Sequence, residues 1–267
     1  MSALTFELRS APDQRLDLAS LLPERLDGLK PTEIEALAVG TTRVRLSVGD
    51  AFKVTGGDAS NVRFAGTDAR CDKIGAGMTE GAIIVDGDAG AYLGAGMKKG
   101  KIDVSGNAGV LAGASMAGGS IAIAGDAGER AGGINVGETL GMRGGVLTIG
   151  GNAGSLLGER MRRGLVIVSG DAGDYAGGRM VAGTIVLKRR AGANAGFGLR
   201  RGTLIFVELP KDILPTFGDC GVLEFDYLRL LEHWLRANDK PINLGARARR
   251  LMGDMSVLGK GEMLILA

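Results

Sequence analysis

The sequence predicts an all-β protein, a right-handed parallel β-helix of about seven coils with a period of 19 residues, short capping segments and a C-terminal helix. Three observations point to it. A glycine-rich unit recurs through the middle of the chain, every copy carries a short apolar–polar alternation at the same place, and all six prolines lie outside residues 45–207. Proline cannot donate to a strand ladder, so its exclusion from that stretch fits stacked strands.

The copies are GAGMTEGAIIVDGDAG (75–90), GAGMKKGKIDVSGNAG (94–109), GASMAGGSIAIAGDAG (113–128), GMRGGVLTIGGNAG (141–154), GERMRRGLVIVSGDAG (158–173) and GGRMVAGTIVLKRRAG (177–192), closed by FGLRRGTLIFVELP (197–210). Their equivalent glycines are Gly81, Gly100, Gly119, Gly145, Gly164, Gly183 and Gly202, spaced 19, 19, 26, 19, 19 and 19. In each copy a pair such as Ile102 and Val104 faces one way and its neighbours the other, the period of a strand. The Gly-Asx-Ala-Gly element then turns the chain before a longer element can form. Stacked at strand spacing, such units place Met78, Met97, Met116, Met142, Met161, Met180 and Leu199 in one interior column, where a flexible thioether fills the core. The corner residues Asp88, Asn107, Asp126, Asn152 and Asp171 alternate carboxylate with amide, which separates charges that would repel if stacked. They read as structural turns, since calcium-binding β-rolls need nine-residue GGxGxD units. The spacing of 26 places seven extra residues within Gly133 to Gly141, expected to leave the stack as a loop.

The open ends of such a stack need covering. Residues 1–44 form an expected N-terminal cap, with a strand at Thr5 to Leu8 and a short helix at Pro31 to Ala38, Pro31 being suited to a helix start. Residues 45–207 form the repeat domain and 208–267 a C-terminal cap. Within 222–237, Leu223, Tyr227, Leu230, Leu231, Trp234 and Leu235 recur at helical spacing, so an amphipathic helix is expected there, its apolar face over the last coil.

Chemistry is sparse. Lys and Arg number 32 against 30 Asp and Glu, so bulk charge gives no case for nucleic acid. The start MSALTFELRS lacks a basic n-region and no run of eighteen apolar residues occurs, from which we expect a cytoplasmic protein away from membranes. Cys71 and Cys220 are far apart with no CxxC, which points to two buried thiols and no iron–sulfur or thiolate-rich zinc site in this chain. His233, the single histidine, sits on the expected helix without visible catalytic partners. GxGxxG-like strings recur as coil corners and do not open a helix after a strand, so they are no nucleotide fingerprint. No catalytic residues and no metal ligands are therefore assigned. Basic residues do cluster after the methionine column. Lys98, Lys99, Arg162, Arg163, Arg200 and Arg201 are candidate binding residues, forming with Arg143, Arg160, Arg179, Lys188, Arg189 and Arg190 either solvated corner charge or a positive stripe for an anionic chain or an acidic partner surface.

The unit Gly-x-x-Met-x-x-Gly-x-Ile-x-Val-x-Gly-Asx-Ala-Gly resembles the GXGXG domain shared by the C-terminal part of glutamate synthase and the C subunit of formylmethanofuran dehydrogenases, over about 45–207. The segments SVGDAFKV (47–54) and GDMSVLGKGEMLIL (253–266) favour the C subunit. Within that family the chain is similar to the C subunit of bacterial formyltransferase/hydrolase complexes of methylotrophs. The resemblance implies a non-catalytic structural subunit, with A, B and D subunits as partners. Their complex would move a formyl group from formyl-tetrahydromethanopterin to a methanofuran-type carrier and hydrolyse it to formate in formaldehyde oxidation. The resemblance then implies no cofactor bound covalently in this chain, tetrahydromethanopterin and the methanofuran-type carrier being used by the complex, with the anionic tail of the carrier as a candidate ligand for the basic stripe. Two other members of the resemblance stay open, the C subunit of a tungsten or molybdenum formylmethanofuran dehydrogenase and a glutamate-synthase-like structural or channel domain.

Overall fold

The structure, a computed structural model, describes residues 2–267. Strands β1 (Ala3–Leu8) and β2 (Leu16–Asp17) precede three short helices, α1 (Pro23–Leu26), α2 (Pro31–Glu35) and α3 (Val48–Ala51). Then come β3 (Phe52–Thr55), β4 (Asp58–Thr67) and β5 (Cys71–Asp72). The repeat supplies β6 (Ala82–Gly87), β7 (Lys101–Val104), β8 (Ser120–Ile123), β9 (Arg143–Ile149), β10 (Arg163–Val168), β11 (Thr184–Leu187) and β12 (Arg201–Phe206). The chain ends with β13 (Gly218–Glu224), α4 (Asp226–Ala237), β14 (Arg247–Gly253) and β15 (Lys260–Leu266). The protein is thus mostly β, and thirteen of the strands form one sheet in the order β13-β14-β15-β12-β11-β10-β9-β8-β7-β6-β4-β1-β3.

From β6 to β12 each strand pairs in parallel with the next copy's strand, in the register the repeat dictates. Ile83, Ile102, Ile121, Leu147, Val166, Ile185 and Leu204 are successive partners and all are buried. A second line of parallel bridges joins Ala89, Ala108, Ala127, Ala153, Ala172 and Ala191, the alanines of the Gly-Asx-Ala-Gly corners. A third line runs past the methionines, as where Ala117 N donates to Met97 O at 2.7 Å and Arg162 N to Met142 O at 2.8 Å. One copy is therefore bonded to the next along three edges, which satisfies the backbone groups of segments too short to be regular strands. The methionine column and Leu199 are fully buried, as the repeat requires.

The Asx corner builds its own ladder. Oδ1 of each residue accepts the backbone N–H of the next, Asn107 N to Asp88 (2.7 Å), Asp126 N to Asn107 (2.8 Å), Asn152 N to Asp126 (2.6 Å) and Asp171 N to Asn152 (2.8 Å). These oxygens serve the fold, which is why an oxygen-bearing short side chain stands in five successive copies; the ladder ends where Arg190 N donates to Asp171 Oδ1 at 3.2 Å.

The two ends are covered differently from the expectation. At the first, β1 pairs in parallel with β4 and antiparallel with β3, so residues of the N-terminal cap continue the sheet. Phe6, Phe52 and Phe64 plug the core there, with Phe6 stacked on Phe64 at 5.2 Å between ring centroids. The expected helix at Pro31 is α2, one turn shorter than its pattern suggested, with proline in its first turn. At the other end β15 pairs in parallel with β12 and adds a further rung, so the last copy of the repeat is covered by strand rather than by helix. Antiparallel β14 and β13 follow it.

Helix α4 corrects the expectation for 222–237 in three ways. It starts at Asp226, because residues up to Glu224 belong to β13. It buries Leu228 and Leu235, with Leu231 partly buried, while Leu223, Tyr227, Leu230 and Trp234 remain well exposed. And it lies against the outer face of the sheet, packed on Leu165, Ile167, Val186, Ile205 and Leu264. The physical reason is in the strands. The outward column that reads Asp103, Ala122 and Thr148 in the earlier copies becomes Ile167, Val186, Ile205 and Leu264 in the later ones, an apolar face that must be covered. Tyr227 Oη and Thr184 Oγ1 share a hydrogen bond of 2.8 Å at one end of the helix, and Glu232 Oε2, midway along it, accepts from Leu244 N and Gly245 N.

The two cysteines also differ. Cys71 is buried at the β2–β5 pair and burial pushes its thiol up to about 11, whereas Cys220 is exposed on the edge strand β13, which has a neighbour on one side only. The expectation of two buried thiols thus holds for one. We predict that at pH 8 a thiol-reactive maleimide labels one cysteine promptly in the folded protein and the second only on unfolding. Prompt labelling at Cys71 would show that its cover opens readily.

Candidate functional site

Of the six candidate residues, Lys98, Lys99, Arg162, Arg163, Arg200 and Arg201 are all exposed. They follow the methionine corner in three copies, and Lys98 N, Arg162 N and Arg200 N donate to Met78 O, Met142 O and Met180 O, so they share one edge of the stack. Among the described residues none of the six takes part in an ion pair. The edge carries three groups separated by gaps: Lys98 and Lys99; Arg143 with Arg162 and Arg163; and Arg200 with Arg201, beside which β15 brings Lys260. Ala117 and Gly118 fill the first gap and Val181 and Ala182 the second, leaving neighbouring groups on the order of 10 Å apart.

Other basic residues are committed elsewhere. Arg189 and Arg190 lie 3.6 and 3.1 Å from Asp171. Partial desolvation of Asp171 opposes its ionisation, but the hydrogen bonds and charge of Arg190, with Arg189 nearby, hold its carboxyl below the usual carboxylate range. His233 is exposed on α4 between Arg229 and Arg236, with Glu232 as its neighbour.

Arg160 and Arg179 belong to a different corner, which sequence reading did not single out. They occupy the position that is Gly77, Gly96 and Gly198 in other copies, and both adopt φ of 53°. A left-handed backbone disfavours a side chain by about 1 kcal/mol relative to glycine. Between them and Arg130 sits Glu159, in a column that is alanine at 76, 95 and 114. Glu159 is 5% exposed, with Arg130 Nε 3.8 Å from its Oε2 and Arg179 Nη1 3.7 Å from its Oε1. Its Oε2 is buried with no hydrogen-bond partner.

Two clefts meet here. One, of about 600 Å³, is lined by Arg130, Glu159, Asp174, Tyr175, Arg179 and Phe197. The other, of about 570 Å³, shares Arg179 and Phe197 and extends past Arg160 and Arg200 to Leu140 and Val257. The inserted residues 133–141 form its wall, fixed by Ser115 Oγ, which donates to Leu140 O at 2.8 Å and accepts from Asn135 N at 3.1 Å. The signal that locates this corner in sequence is the break in a repeat column, a carboxylate among alanines and two arginines among glycines.

No protein-family model matches the chain. A stretch of 89 residues, 33% of this chain and 34% of the relative, is 41% identical to the C subunit of the formyltransferase/hydrolase complex Fhc of Methylorubrum extorquens. In sequence alignment the chain therefore spans about a third of that curated relative's length. The whole fold reaches much further. It superposes on a chain in the crystal structure of the formyltransferase/hydrolase complex (FhcABCD) from Methylorubrum extorquens in complex with methylofuran, at a TM-score of 0.94 and 41% identity, covering 98% of this chain and 99% of that one. The chain belongs to the C-subunit family of formyltransferase/hydrolase complexes. Membership in the C-subunit family accounts for residues beyond the repeat, since coverage of 98% takes in the N-terminal strands and β13 to β15 as well. No helix among the described residues is long and apolar enough to cross a membrane.

Proposed function

We propose that this C-subunit homologue is a structural, non-catalytic member of a formyltransferase/hydrolase complex, assembled with A, B and D subunits. In that complex formyl passes from formyl-tetrahydromethanopterin to a methanofuran-type carrier and is released as formate, the reacting groups residing in the partners. The observation that carries this reading is the 41% identity over nearly the full length of a chain of such a complex. The repeat supports it physically. We read residues 45–207 as a right-handed parallel β-helix of about seven coils between caps at 1–44 and 208–267, in the cytoplasm, its interior filled by buried Ile, Val, Leu and Met columns. A packed column of that kind is a rigid spacer, with no room inside for a channel or a reactant.

Co-expression of the chain with the neighbouring partner genes and purification through a tag on this chain tests the proposal. Stoichiometric recovery of three partners and formyl-transfer activity is expected; a lone stable monomer overturns it. In the same complex Lys98, Lys99, Arg162, Arg163, Arg200 and Arg201 are read as holding the anionic tail of the carrier, since six exposed cations without carboxylate partners along one edge suit an extended polyanion. Charge reversal at Arg162 and Arg163 that left assembly and carrier affinity unchanged would remove that assignment.

A further inference from the structure

The corner built by Glu159, Arg160, Arg179, Tyr175 and Phe197 has the composition of a protein interface and the charge of one with an acidic partner. Tyr175 and Phe197 stand edge to face, ring centroids 5.9 Å apart, yet are 38% and 43% exposed. Val257, which lines the second cleft, faces solvent, and so do Met255 and Leu258 on the same 254–259 segment and Val136 on the inserted loop. Aromatic and arginine side chains around a concave centre are what contact hot spots are made of. Four arginines, at 130, 160, 179 and 200, line the two clefts against the carboxylates Glu159 and Asp174.

The distances decide what the arginines are free to do. Arg130 and Arg179 approach Glu159 only to 3.8 and 3.7 Å, outside hydrogen-bond range, so the buried carboxylate holds the guanidinium groups in place while leaving their N–H donors available. Oε2 of Glu159 is in turn an acceptor with nothing to accept. A polypeptide offers both complements, carboxylates for the arginines and backbone N–H groups for Glu159. A free anion offers only the first. In other copies this position is glycine at 77, 96 and 198 and Ser115 in the third, whose hydroxyl ties down the inserted loop, whereas neither Arg160 nor Arg179 makes a side-chain hydrogen bond within the fold among the described residues.

We propose that this corner is the docking surface for an acidic, apolar-flanked segment of a partner protein in the complex, with the inserted residues 133–141 and the 254–259 segment as its two walls. The proposal rests on the chain being one component of a larger complex, and the experiment separates the two. The double variant Arg160→Gly/Arg179→Gly restores the residue that other copies carry at 77, 96 and 198, and Phe197→Ala restores the alanine of 76, 95 and 114, so both are expected to fold. Because Arg179→Gly takes a cation from the buried Glu159 and Phe197→Ala a packing partner from Tyr175, a modest drop in melting temperature is expected, and melting of each free chain is measured beside binding so that lost contact is told from lost fold. Binding of each purified chain to the remaining co-expressed subunits is measured at low and physiological salt. Wild type should bind. The double variant should bind about 30-fold or more weakly with a flatter salt dependence, and Phe197→Ala about 10-fold more weakly at either salt. Unchanged affinity in both variants overturns the docking surface while leaving membership of the complex intact. Failure of the wild-type chain to bind any partner overturns membership of the complex, and the docking surface with it.

Discussion

Gly119→Ala is expected to destabilise the protein by about 3 kcal/mol, and Gly137→Ala by only about 1 kcal/mol, although both glycines have nearly the same backbone conformation, φ of 81° and 82°. The common part is the left-handed backbone, which disfavours any Cβ. The difference is space. A Cβ on Gly119 would lie 2.7 Å from Gly100 O and 2.8 Å from Met97 Cε, whereas one on Gly137, in the inserted loop, meets nothing within 4 Å. Each methionine methyl thus occupies the hollow left by the glycine of the next copy, as with Met116 Cε at 2.7 Å from a Cβ on Gly145. Met97 could swing aside, since its thioether is flexible. The carbonyl of Gly100 cannot, because it is held in the ladder by Ser120 N at 3.0 Å. For a chain of this size the two variants should differ in melting temperature by several degrees. If they melt together, the pairing of methionine with glycine is not what fixes the distance between copies.

That pairing also explains why so much of the architecture was legible. The repeat is local. Its strand, Asx corner and methionine–glycine corner lie within nineteen residues, and each contact in the stack is one copy's position meeting the same position in the next, so aligning the copies yields the register that Ile83, Ile102 and Ile121 adopt. Elements that depend on distant sequence were not legible. The rung added by β15 joins Lys260 to Arg201 across the whole of β13, α4 and β14, and no periodicity reports that. The exposed Cys220 follows from the same pairing, because β13 ends up at the sheet edge. At the candidate sites the split is similar. The basic edge is visible as charges following a motif, and its gaps at Ala117, Gly118, Val181 and Ala182 are equally visible at the same place in their copies. The cleft around Glu159 needs the fold, since only stacking brings Arg130 and Arg179 to the same carboxylate.

The position of α4 rests on a single outward column, and Val186→Asp tests it. Val186 is 0% exposed, in the cluster that includes Ile167, Ile205, Leu228, Leu235 and Leu264. Two copies of the repeat show that the column itself need not be covered by a large apolar side chain. Asp103 stands there in β7, partly exposed and 2.7 Å from Lys101, and Ala122 in β8 is only partly buried. A carboxylate at 186 would instead lie under the helix with no cation paired to it, a destabilisation of about 4 kcal/mol or more if the helix stayed in place. Undocking of α4 relieves that at the expense of its buried leucines, about 2 kcal/mol for each fully buried side chain. The two outcomes are close in energy, so the helix should spend much of its time detached while the interior columns, a separate cluster, hold the stack. Limited proteolysis is expected to cut Val186→Asp within residues 226–246 at least tenfold faster than wild type, with Ala122→Asp cut at the wild-type rate. Equal resistance in Val186→Asp would mean that the helix does not depend on this column, and that its anchors are the hydrogen bonds of Tyr227 and Glu232 instead.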